Sequence, residues 1–374
     1  MNICIVTKDY PDARRSTYEF VKQLVVEWAD MGHNCVVVAP FSKHQNDFIR
    51  EDEVEIQTTT NGNIIKVIRP IYAGEDVTFC GKNIFYLLHG WALNKGLKKI
   101  GFRPDIIYAH FWAYGLEAFP FAKLHKIPLI VASGEAEVPT KYANKLLKPF
   151  VNYVSGAICV STKTQDECLT IGLTTKEKSL VIPNAFNPVL FPRLDRMECR
   201  KKLGYAKDDF ILIFVGDFGD RKGCMRVSEA ITTLNDPGVK SIFIGKGENN
   251  PDCPGILFKG SIKHELLNTY LQSSDVFILP TLNEGCCNAI VEAIACGLPV
   301  ISSDLPFNYD ILDNKNSILV NPLSIKEIAN AIRLLKNNPE LRKEMAERSL
   351  ERASSLSITL RASAIINFIR ESVS

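Results

Sequence analysis

Glu284 and Glu292 stand eight residues apart in the segment 275–303, DVFILPTLNEGCCNAIVEAIACGLPVISS. The apolar run 275–279 reads as a buried parallel strand, ended by Pro280. Asn288 then reads as the N-cap of a helix of about two turns. Gly297 fits the helix C-terminal cap, with Pro299 just beyond. Free backbone N–H groups at such a helix start can hold a phosphate. Carboxylates are poor phosphate ligands but good acceptors for sugar hydroxyls. Glu284 in the loop and Glu292 in the helix can therefore flank a ligand at the helix mouth. The spacing also allows a plainer arrangement, in which Glu284 caps the helix and Glu292 faces solvent.

A second stretch, 211–224 (ILIFVGDFGDRKGC), ends an apolar strand at Gly216 and leads to Arg221, Lys222 and Gly223. Two fixed cations at the carboxyl end of a strand, beside a helix start, suit a diphosphate; a solvated basic turn is the other reading. His110 ends the strand 105–109, where a doubly wound domain presents ligands. No Asp-x-Asp triplet offers itself to a metal, and no Cys-x-x-Cys pair suggests zinc or a redox dithiol. The vicinal pair Cys286–Cys287 reads as loop residues. Eleven cysteines, many in apolar runs (Cys4, Cys35, Cys159, Cys296), suit a reducing cytoplasm.

These residues need elements to position them. At 374 residues and ~150 per domain, two domains are expected. Strands are predicted at 2–6, 34–39, 63–68, 105–109, 128–132, 156–160 and 179–182, with helices between them such as 17–31 and 112–125. Three prolines in residues 182–192 break the pattern. It resumes with strands at 210–215, 240–244, 256–258, 275–279, 299–301 and 317–320. The expected helices are 195–203, 223–234, 263–272, 288–296, 324–337 and 339–353. The result is an α/β chain of two Rossmann-like, doubly wound domains facing across a cleft. The first covers 1–190 and the second 191–355, while 356–374 forms a C-terminal helix that can cross back to the first. At 46% hydrophobic and 23% charged, the chain is not disordered. A net charge of +2 argues against a nucleic-acid-binding surface. Neither a spanning helix nor a secretory signal is expected.

The segment 283–303 resembles the glutamate-x7-glutamate motif of the family 4 glycosyltransferases. These have the GT-B fold and transfer a sugar, usually a hexose, from a nucleotide donor with retention of configuration. Tyr10-Pro11, Phe20 to Gln23 and Gly32-His33 resemble the family's opening unit, and Ile182-Pro183-Asn184 with Phe191 its interdomain segment. Val215-Gly216 to Lys222-Gly223 resembles its phosphate loop, and Ile244 to Gly247 its next turn. The resemblance implies that Lys222 and Arg221 neutralise the donor diphosphate and that Glu284 holds the transferred sugar. It implies that Glu292 accepts the ribose hydroxyls and that amides at Asn288 and Ala289 meet the terminal phosphate. The nucleobase falls near Gly260 to Ile262. His110, Lys222 and Glu284 would carry the chemistry, with Gly216 opening the phosphate loop.

The chain departs from the family at two places. Asp217 stands where an arginine is frequent, and residues 11–17, PDARRST, replace a Gly-Gly loop. Arg14, Arg15, His110 and Glu135 are the acceptor-side candidates. The implied partners are a UDP- or GDP-sugar and a lipid-linked or glycan acceptor, with no metal or other cofactor and no nucleic acid. Two basic stretches, 82–103 and 141–150, interleave lysines with apolar and aromatic residues, as contact with an anionic membrane requires. A solvated helix face is the plainer reading of each. Together they suggest the inner face of the cell membrane. The competing readings are a sugar-nucleotide epimerase, a degenerate scaffold kept open by Asp217, and a dehydrogenase. The last is weak, because no Gly-x-Gly-x-x-Gly follows the first strand.

Overall fold

The computed structural model describes residues 1–11, 18–39, 41–42, 54–72, 78–79, 82–83 and 85–373. The chain forms two compact units, one of Met1–Val160, Thr164–Ile182 and Ala362–Ser374, the other of Ser161–Lys163 and Pro183–Arg361. One crossing falls within the proline-rich segment. The C-terminal helix Ile358–Val373 begins in the second unit and ends in the first.

The first unit holds an eight-stranded sheet. Its order is Ser179–Val181, Gly156–Cys159, Leu129–Ser133, Ile106–His110, Asn2–Val6, Asn34–Val38, Ile64–Ile68 and Val54–Thr58. Every pairing is parallel except the last. Ile106–His110 and Leu129–Ser133 are buried along their whole length, which is why they read as unbroken apolar runs. Trp28, on the helix Glu19–Asp30, meets Tyr108 edge-on at 4.9 Å and donates from its indole to the Ala362 carbonyl. That bond ties the C-terminal helix into the first unit.

Among the elements that escape the sequence reading are one strand and one helix. Val54–Thr58 is an edge strand whose Glu55 and Gln57 break the apolar run and whose Ile56 is exposed. It closes a hairpin on Ile64–Ile68. The helix Thr162–Thr170 is nearly all polar and carries little periodic signal.

The second unit has six parallel strands, in the order Ile256–Gly260, Val239–Ile244, Phe210–Val215, Val276–Leu279, Val300–Ser303 and Ser317–Val320. From Phe210–Val215 the chain steps outward twice, then returns to add Val276–Leu279 on the other side. Ligands of open α/β sheets bind beyond the carboxyl ends of the strands at such a reversal. The first unit reverses between Asn2–Val6 and Ile106–His110. Among the described residues no helix is long and apolar enough to cross a membrane.

Candidate functional site

The reversal in the second unit brings together loops that lie far apart in sequence. After Phe210–Val215 the chain runs through Gly216 to Lys222 and enters the helix Cys224–Leu234 at Gly223, whose φ of 83° suits glycine. This loop lies on the turn after Val239–Ile244. A Cβ on Gly245 would stand 1.9 Å from the Gly216 carbonyl oxygen, so only glycine permits the approach. Phe218 points inward and is buried, leaving Asp217 exposed and turned to solvent. Arg226 braces the loop by donating to the Asp220 carboxylate and to the carbonyls of Asp220 and Pro280.

The centre of the site is Glu284. Its Oε1 receives the Lys222 ammonium at 2.7 Å, the Arg221 guanidinium at 2.6 Å and the Thr281 hydroxyl at 2.9 Å. Glu284 therefore does not cap the helix. Lys222 is deeply placed, with 13% of its side chain exposed against 45% for Arg221. Burial works against the Lys222 ammonium, but the neighbouring Cys287 and Glu284 outweigh it and the net shift is upward. Burial pushes the Cys287 thiol up, so it is neutral near pH 7 and Glu284 is the operative counter-charge. Lys222 thus stays cationic, with its Nζ 3.9 Å from the Cys287 sulfur.

Cys287, not Asn288, takes the N-cap position of the helix Asn288–Ala295, and no side chain caps it. The expected cap is displaced by one residue, and the preceding Cys286 is held from the linker. Asn184 donates its side-chain amide to the Cys286 carbonyl and its backbone N–H to the Cys286 sulfur. A neutral thiol is a weak acceptor, so the first helical amides lack a strong partner and suit an anion. The Asn288 side-chain oxygen is buried without a hydrogen bond. At the far end, Gly297 and Leu298 donate back to Ile294 and Ala293, the bonding of a Schellman motif, as the sequence predicts.

Glu292 is not a solvated helix residue. Its Oε1 lies 2.9 Å from Nε2 of His264, with 13% of the side chain exposed. His264 opens the helix His264–Ser273 and had no partner visible in the sequence. Ile262 sits half-buried two residues past Ile256–Gly260. The second unit therefore assembles Gly216, Arg221, Lys222, Glu284, Asn288 and Ala289, and places Glu292 against His264. Thr281, Arg226 and His264 are contributors that sequence reasoning missed. Their partners lie 3, 54 and 28 residues away, the last two far beyond any local spacing signal.

The first unit holds the remaining candidates. His110 is buried at its strand end, with its ring 5.1 Å from Phe20 and 4.6 Å from Phe111. Phe111 adopts φ 82°, ψ 156°, a backbone region otherwise left to glycine. Strain of this kind collects at functional sites. Glu135 has a structural job: it accepts the Trp112 N–H at 2.9 Å at the start of the helix Trp112–His125, and the Ser133 hydroxyl at 2.9 Å. Burial pushes its carboxyl up, against these hydrogen bonds. Arg14 and Arg15 lie outside the described residues.

Residues 19–189 match the family described as Glycosyltransferase Family 4, and residues 195–352 match Glycosyl transferases group 1. The chain belongs to glycosyltransferase family 4. A Bacillus subtilis glycosyltransferase assigned to teichuronic acid biosynthesis is 28% identical to it over 266 residues, 68% of this chain and 67% of the relative. The sucrose-phosphate synthase of Thermosynechococcus elongatus superposes with a TM-score of 0.78 at 19% identity, over 99% of this chain and 98% of that one. Anabaena HepE, solved with UDP and glucose, gives 0.74 at 15%, over 99% and 100%. At these identities the structures establish the fold of this glycosyltransferase, which is GT-B.

Proposed function

We propose that this family 4 glycosyltransferase moves a hexose from a UDP- or GDP-sugar to a lipid-linked or polysaccharide acceptor in cell-surface glycan assembly, retaining the anomeric configuration. The carrying observation is the double engagement of Glu284 by Lys222 and Arg221 beside an uncapped helix start. Two cations against one carboxylate leave net positive charge where a diphosphate would lie. Thr281, Lys222 and Arg221 all meet Oε1, so Oε2 is the oxygen for a sugar hydroxyl. Glu292 would take the ribose, and the backbone near Ile262 the base. The UDP in HepE and the teichuronic acid role of the Bacillus relative support donor and acceptor class.

Mass spectrometry of nucleotide sugars retained by the purified protein tests the donor, followed by release of nucleotide from it in the presence of a membrane lipid extract. Release coupled to glycosylated lipid or glycan is expected. Sugar interconversion without release indicates an epimerase, and absence of both a scaffold.

No divalent metal should be needed. Lys222, Arg221 and the helix start would stabilise the departing diphosphate. Excess EDTA should leave the rate unchanged; a rate abolished by EDTA and restored by manganese overturns this.

Membrane contact at the inner face is the second part of the reading. Trp91, Leu124 and Leu146 are exposed large apolar side chains of the first unit. Cations accompany them: Lys95 stands 5.6 Å over the Trp91 ring, and Lys123 and Lys145 are exposed. The helix Trp112–His125 packs against both Phe85–Lys99 and Lys148–Tyr153, and the short turn Lys145–Leu147 that carries Lys145 and Leu146 leads directly into the latter, so these side chains lie on neighbouring elements. Each cation near an anionic surface contributes about 1 kcal/mol, screened by salt. Liposome sedimentation should show binding to anionic vesicles that weakens as salt rises. Equal binding to neutral vesicles would remove the electrostatic part.

A further inference from the structure

The pairing of Glu292 with His264 joins two helices of the second unit at one carboxylate oxygen. We infer that His264 is a positioning residue that locks Glu292 for a vicinal diol, and so sets a preference for ribonucleoside over 2′-deoxyribonucleoside diphosphates. The inference rests on the donor reading above and adds to it a residue outside the two-glutamate motif.

An ionised carboxylate can only accept hydrogen bonds, so at 2.9 Å the proton between the groups belongs to Nε2 of His264. The imidazole is itself held. It opens the helix His264–Ser273, and its ring meets Phe191 edge-on at 5.6 Å, with Phe191 4% exposed. His264 keeps 35% of its side chain exposed and Glu292 13%, so the pair lies at the rim and not in the core. One donor on Oε1 fixes the plane of a side chain that otherwise rotates freely, and leaves Oε2 with the second lone pair of Oε1 for a ligand. Two adjacent hydroxyls need both oxygens in one plane, whereas a single hydroxyl tolerates a rotating carboxylate. The ordering cost of the glutamate is met before the ligand arrives, which is how supporting residues raise affinity.

The test is calorimetric binding of UDP and GDP, each beside its 2′-deoxy form, to the full chain. His264→Phe fills the ring's volume and keeps the contact with Phe191 but cannot donate; His264→Ala replaces it should His264→Phe not fold. His264→Gln retains an amide donor. The unsubstituted chain should prefer the ribonucleotide. His264→Phe should weaken ribonucleotide binding by about tenfold, the usual scale for a supporting contact, and leave the deoxy form nearly unchanged. His264→Gln should restore most of the preference. His264→Phe added to Glu292→Ala, which removes the acceptor, should cost nothing further. Equal losses for ribo and deoxy forms, an unchanged preference in His264→Phe, or full additivity in the double variant would overturn the inference while leaving the donor reading intact. Failure of the unsubstituted chain to bind either nucleotide overturns both.

Discussion

Lys222→Ala should slow sugar transfer by roughly 30- to 4,000-fold while the second unit keeps its fold. The range converts about 2–5 kcal/mol, the cost of deleting one partner of a desolvated, charge-assisted contact, at about 1.4 kcal/mol per tenfold. Lys222 qualifies for that range because it is poorly exposed and its ammonium is held in the charged form. Its counter-charge is Glu284; in the proposed donor complex it would face a diphosphate whose negative charge grows as the glycosidic bond breaks. Arg221 meets the same carboxylate oxygen but is 45% exposed, so water screens it and Arg221→Ala should cost less than Lys222→Ala. Steady-state rates with a thermal melt for each variant decide the matter. Equal rates for Lys222→Ala and parent would remove Lys222 from the site, and a larger loss for Arg221→Ala would reverse their order.

Glu284→Ala should lower the catalytic rate about a hundredfold, the scale expected when a reacting group loses its alignment, without weakening the free nucleoside diphosphate. The structure sharpens this expectation. In the proposed donor complex Glu284 would compete with the diphosphate for Lys222 and Arg221, so its removal would add one net positive charge beside it. UDP or GDP should bind as well as before, or more tightly. What is lost is the orientation of the transferred sugar, an effect realised mainly at the reacting geometry. In a transfer with retention, the departing phosphate oxygen can take the acceptor's proton on the same face, and no opposed base is required. Proton NMR of the new linkage made from an α-linked donor should therefore show an α-linkage. A β-linkage overturns retention and points to His110, at the strand end of the first unit, as general base. Loss of nucleotide affinity in Glu284→Ala in step with the rate would make Glu284 a phosphate-site residue instead.

The order of strands and helices was legible in the chain because a parallel strand buried on both faces must be apolar along its length. Thus Phe210–Val215, Val276–Leu279 and Leu129–Ser133 lie within a residue or two of where the runs 210–215, 275–279 and 128–132 put them. The helix stop at Gly297 was equally local, since a left-handed C-terminal residue favours glycine whatever surrounds it. The half-exposed strand Val54–Thr58 was not legible, because its stability comes from its hairpin partner and not from its own pattern. In the candidate site, the residue types and the eight-residue spacing of the glutamates were readable, but their roles were open. Glu284 could have capped a helix and Glu292 could have faced solvent. What decided between these was pairing at a distance: Arg221 with Glu284 across 63 residues, and His264 with Glu292 across 28. A side chain's protonation and reach depend on which charges and donors stand within a few ångströms of it, and only the folded sheet, by reversing its strand order beside Phe210–Val215, sets those neighbours.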